Sequence, residues 1–116
     1  VTYTVSDVRK WQPSLLSDAA TSLETSNIDF ETKLNAARSV ALNQYQSSDG
    51  HTAEAAWQKA EKDHRLGIRV ADATDKVIEA LRSGATRLQS VRDNAVSNVN
   101  AAVLSNFEVS DDWKVG

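Results

Sequence analysis

The chain has 116 residues, 13 basic and 16 acidic side chains, a formal net charge of −3 and no cysteine. That is enough for one domain with a modest core. It excludes disulfides and thiolate metal sites, and with no basic block to follow a phosphate backbone it argues against nucleic acid as a partner. No apolar run approaches the roughly 20 residues of a membrane span, so no membrane-spanning segment is expected. The N-terminus lacks the basic-then-apolar layout of a secretory signal. With no methionine, even at position 1, the chain reads as processed or as an excerpt of a longer protein.

Residues 1–5 alternate β-branched and aromatic types and predict a short extended segment. Ser6 and Asp7 then offer a cap for a single turn through Val8 to Trp11. Gln12-Pro13-Ser14 marks a helix start, because proline suits the first helical position. The first helix, 13–46, carries a row at alternating steps of four and three: Leu16, Ala20, Leu23, Asn27, Phe30, Leu34, Ala37, Ala41. Asn27, its one polar member, is read as a register-setting seam asparagine or as a residue at the seam's edge. Residues 47–51, with Ser47-Ser48-Asp49-Gly50, form a turn.

Thr52 is the expected cap of a second helix, 52–106. That stretch has no proline and two glycines, Gly67 and Gly84, with a break near 83–84 as an alternative. The 3.5-residue period recurs through Ala53, Trp57, Ala60, His64, Gly67, Ala71, Thr74, Ile78, Leu81, Ala85, Leu88, Arg92, Ala95, Val99 and Ala102. A second row runs beside it: Leu66, Val70, Ala73, Val77, Ala80, Val91. Two rows make a face wide enough for more than one neighbour. Charges at Glu61/Arg65 and Asp72/Lys76 stand at i,i+4 with the acid first, the order that supports a helix. Residues 107–116 read as a C-terminal extended segment, either a small hairpin or a partner for residues 2–5.

The predicted fold is all-α: an antiparallel helical hairpin with one very long second helix and small extended segments at both termini, forming a four-helix bundle on dimerisation. The arms span roughly 33 and 55 residues, ~50 and ~82 Å at 1.5 Å per residue. Something must therefore cover Leu88, Val91, Val99 and Val103 beyond the end of the shorter arm. A partner chain together with the N-terminal segment is the favoured cover, since the apolar rows pass Gly84 without a phase slip. Trp57 is read either as a core residue near the turn or as an anchor onto a partner, where aromatics contribute most to binding.

Catalytic patterns are lacking. His51 and His64 are the only histidines, and there is no phosphate loop or nucleophile elbow. No enzymatic activity, cofactor or metal is expected.

The layout of Gln12-Pro13, a turn some 35 residues later, and His51-Thr52-Ala53-Glu54-Ala55-Ala56 at the next helix resembles the Trp-x-Gly hundred-residue family of type VII secretion substrates. In that alignment His51 stands at the tryptophan position and Ala53 at the glycine position, with Glu54, Ala55 and Ala56 as the flank. The family's Tyr-x-x-x-Asp/Glu export signal corresponds in place to Phe107 and Asp111, while Tyr3–Asp7 and Tyr45–Asp49 match the letters elsewhere. The opening and closing segments also resemble hairpin N-terminal domains of longer actinobacterial proteins. The resemblance implies a non-enzymatic chain, exported without a signal peptide to the medium or cell envelope. It would pair with another helical hairpin, as homo- or heterodimer, and meet the secretion machinery. The periodicity alone fits a generic coiled-coil adaptor or spacer equally well.

Overall fold

A computed structural model describes residues 3–116, so the expectation of extended structure at residues 1 and 2 lies outside the described residues. Three helices follow one another: α1 (Val5–Lys10), α2 (Ser14–Gln46) and α3 (His51–Leu104). There is no strand among the described residues, only one isolated antiparallel bridge, Val109 to Val115. Helix α3 is unbroken through Ser83-Gly84. Gly50, at φ +101° in the turn, precedes it, and its carbonyl accepts from Glu54 N at 3.2 Å. The helix therefore starts one residue before Thr52.

Contacts divide the chain into two compact units, Ala20–Ala80 and Leu81–Gly116 with the residues through Ala19. The first is an antiparallel helical hairpin. Ala20 and Ala71 are fully buried in it. A Cβ placed on Gly67 would stand 2.6 Å from both methyl carbons of Leu34, so the two helices meet at glycine. Asn27 is buried, and its Nδ2 donates to the Ala71 carbonyl at 3.1 Å and to Asp75 Oδ1 at 2.9 Å. A buried amide so tied fixes one register, because any slip leaves it unpaired.

Along α3 every described member of the first sequence row is buried or half-buried, and Leu66, Val70, Ala73, Val77, Ala80 and Val91 are all exposed. On α2 the strict 3.5 spacing fails after Asn27. Phe30 (39% exposed) and Ala37 turn outward, and Glu31 and Arg38 take the half-buried places. From Asn27 the inward positions run Glu31, Leu34, Arg38, Ala41, with one step of four where the row had a three, the kind of extra step by which a 3.6-residue helix departs from a strict 3.5 repeat. The inward Arg38 then reaches Glu61 at 2.5 Å. Glu61 thus bridges the two helices instead of pairing with Arg65, and Asp72 and Lys76 form no ion pair among the described residues.

In the other unit the short turn expected after residue 5 is helix α1, which begins at Val5, while Thr4 is extended. Thr4, not Ser6 or Asp7, is the cap: its hydroxyl accepts from Asp7 N and the Asp7 carboxylate accepts from Thr4 N, both at 3.1 Å. This reciprocal box satisfies two otherwise orphaned donors. Sequence reading placed Asp7 at the cap, whereas it is the third helical residue. The unit buries Val5, Val8, Ala85 and Val99. At the far end of α3, Asn106 at φ 67° lets Phe107 N reach the Ala102 carbonyl at 3.0 Å and Asn106 N reach Val103 at 3.0 Å. That is a Schellman stop. Residues 107–116 then form a small hairpin around the Val109–Val115 bridge, with Glu108 and Gly116 exchanging two 2.9 Å bonds.

The two glycines of α3 predict opposite responses to alanine. A Cβ at Gly84 meets only Leu16 Cδ1, at 3.8 Å. Gly84→Ala is expected to raise stability to urea by about 0.5–1 kcal/mol through lost unfolded-state entropy. Gly67→Ala must displace Leu34 and gains nothing. Equal gains at both positions would refute the close approach at Gly67.

Candidate interaction surface

In the Ala20–Ala80 hairpin the inward row of α3 separates two unlike flanks. At about 100° per residue, Glu61 and Asp75 fall on one side of it, toward which the row member His64 leans, and Leu66, Val70, Ala73 and Val77 fall on the other. The first flank is tied to α2 by polar contacts. Asp75 accepts from Asn27, Glu61 accepts from Arg38, and His64 Nε2 lies 2.9 Å from Asn35 Oδ1, an oxygen that can only accept. The second flank has no such ties. Leu66, Val70 and Val77 are each about half exposed, at 49, 57 and 51%. On α2 the outward Phe30 lies on the same side, since it precedes the inward Glu31 as Val70 precedes the inward Ala71. The hairpin is thus closed by polar bonds along one side and left apolar along the other.

The turn end holds the residues of the expected turn motif. His51, Glu54, Ala55 and Ala56 are exposed and Ala53 is half-buried. Gln58 Nε2 lies 3.5 Å from Glu54 Oε1. Trp57 is half-buried and held from two sides: Tyr45 stacks on it at 5.8 Å between centroids, and the Arg38 guanidinium sits 5.3 Å from its ring centre. Trp57 is therefore a packing residue of the turn end with an exposed edge. Beside it lies an open depression of about 400 Å³ lined by Ala41, Tyr45, Asp49 and Ala53 among others.

Of the interface residues expected beyond the shorter arm, Val91 and Val103 are exposed, but Val99 is 8% exposed and Leu88 half-buried. Val99 is not available to a partner, because the unit formed with α1 already encloses it. Phe107 is exposed. Asp111 is engaged: its carbonyl accepts from Val5 N at 2.9 Å, and its Oδ1 accepts from Ser6 N at 2.8 Å and Ser6 Oγ at 2.6 Å. Trp113 Nε1 donates to the Tyr3 carbonyl at 2.7 Å, and Tyr3 packs edge-on against Trp11 at 5.2 Å. Arg92 Nη2 donates to the Arg9 carbonyl at 3.1 Å, while Arg9 Nη2 reaches Asn100 Oδ1 at 3.3 Å. Residues 107–116 thus meet the N-terminal segment, one of the two arrangements the sequence offers for them, through cap and side-chain bonds to Tyr3, Val5 and Ser6.

Among the described residues no group of three or more His, Asp or Glu side chains is placed to hold a metal ion. No helix among them is long and apolar enough to cross a membrane. Comparison with protein-family models, curated proteins and solved structures finds no match.

Hydrogen bonds from the Ser6 hydroxyl and then the Ser6 amide hold the Asp111 carboxyl below its ordinary value. A carboxylate depressed in the folded state stabilises above its unfolded value, and that contribution disappears as pH falls through the folded value. The Ser6 amide is therefore expected to keep its exchange protection through the ordinary carboxylate range and lose it only below. Ser6→Ala should move the NMR titration of Asp111 upward. An unchanged midpoint would remove Ser6 as the cause.

Proposed function

We propose that this chain is a non-enzymatic helical-hairpin protein associated with type VII secretion, working by laying its apolar flank on a partner hairpin to complete a four-helix bundle. The observation that carries this reading is the row Leu66, Val70, Ala73, Val77, Ala80, exposed throughout beside a hairpin already closed on its opposite side. Aliphatic side chains at four-and-three spacing are what a helix offers another helix. A specific complex needs about 800 Å² from each partner, so the row and the outward Phe30 on α2 would form the apolar centre of such an interface and not the whole of it.

The export assignment rests on the resemblance in layout, with Phe107 and Asp111 at the place of the family's signal. Phe107 is open to a receptor. Asp111 is shared with α1, so a receptor reading its carboxylate competes with Ser6. On this reading the chain is cytoplasmic before export and reaches the medium or cell envelope without a signal peptide.

Two measurements test the proposal. In a type VII-competent actinobacterium the chain should reach the medium, and deleting residues 107–116 should stop it. Export unaffected by the deletion, or none from the intact chain, favours an adaptor or spacer with no export role. Val70→Asp with Val77→Asp should weaken the complex with the partner hairpin at least tenfold, by burying charge where methyl groups packed. A chain monomeric at tens of micromolar that also forms no complex with any co-exported hairpin would sink the bundle.

A further inference from the structure

The exposed row of α3 is edged by cations in strict heptad register. With Val70 and Val77 at a, and Leu66, Ala73 and Ala80 at d, the g positions are Lys62, Arg69 and Lys76. All three are exposed, and none forms an ion pair among the described residues. The e positions, Gly67 and Thr74, carry no charge and are half-buried toward α2. Charges at e and g choose the partner and orientation of a helix seam. An apolar seam bordered by one sign selects against its own copy and for the opposite sign.

We infer that this row is a docking seam for a helix of a different chain, one that sets Asp or Glu side chains opposite Lys62, Arg69 and Lys76, and that it rejects a second copy of this chain. The inference rests on the bundle reading above and narrows its partner. In an antiparallel pair of copies, g faces g, and the three cations meet their own kind. In a parallel pair, g faces e, where the copy offers glycine and threonine. The acid beside Phe30 on α2, Asp29, is already paired with Lys33 at 2.9 Å. Row against row, neither orientation of two copies sets an acid in register with these cations. A membrane surface is the lesser fit: apart from Leu66 the row is valine and alanine, small side chains that admit knobs from a facing helix, with one cation per two turns where lipid-binding faces carry bulky Trp, Phe and Leu under many.

The charge-reversed chain Lys62→Glu/Arg69→Glu/Lys76→Glu serves as the acidic-edged partner. Sedimentation equilibrium of wild type alone and variant alone should give monomers, and an equimolar mixture should give a 1:1 complex. That complex should weaken by about tenfold or more in 1 M salt, as several exposed ion pairs acting together would. If the Glu variant loses its far-UV helical signal, Lys62→Gln/Arg69→Gln/Lys76→Gln decides. With repulsion removed it should self-associate more tightly than wild type, and no difference overturns the inference. Wild type dimerising as tightly as the mixture would overturn charge selection but leave the bundle standing. No association in any combination would overturn both. Flotation of wild type with phosphatidylglycerol vesicles, without association in the mixture, would reassign the row to lipid.

Discussion

A Cβ on Gly67 would lie 2.6 Å from both methyl carbons of Leu34, and four residues on, Ala71 is fully enclosed while its carbonyl receives the Asn27 amide. There the Leu34 side chain of α2 lies directly over a residue of α3 that has none of its own. Asn27, Ala20 and Ala71 are buried in the hairpin together with Ile78, which is 4% exposed.

From that closeness the asymmetry of the hairpin follows. Larger residues flanking the inward row are pushed to one side or the other. On one flank they are polar and meet: Asn27 with Asp75, Asn35 with His64, Arg38 with Glu61. These bonds satisfy one another across the groove and fix the register. On the other flank they are aliphatic or aromatic and remain apart, because the two helices have already closed at glycine and alanine. An apolar strip with a basic border is left where a thicker seam would have drawn the same residues inward.

The unit containing α1 solves a different problem with other means. A helix of six residues has little stability of its own, since nucleation costs more than so few bonds return. It persists because both ends are held from elsewhere in the sequence. Thr4, Asp7 and Asp111 satisfy the first amides, and Arg92 takes the Arg9 carbonyl at the other end. Val5 and Val8 are buried as a result, with Val99 enclosed in the same unit. An aspartate that reads in sequence as part of an export signal is in the folded chain a cap on a distant helix.

The helical hairpin, its turn, and the inward row of α3 were legible from the sequence, because a heptad repeat free of proline and with few glycines leaves the backbone little alternative to one long helix. The same pattern already separated Leu66, Val70 and Val77 from the inward row. Only tertiary structure decided that Phe30 and Ala37 yield their places to Glu31 and Arg38, since that depends on how far a real helix drifts against a straight partner. It also decided that the short turn expected before Trp11 begins at Val5 under a Thr4 cap and that Val99 is enclosed, because the Asp111 atoms that complete the capping lie more than a hundred positions away and no local propensity can report them. Periodicity is a local property and survives in the sequence. Contacts between distant segments exist only once the chain has folded.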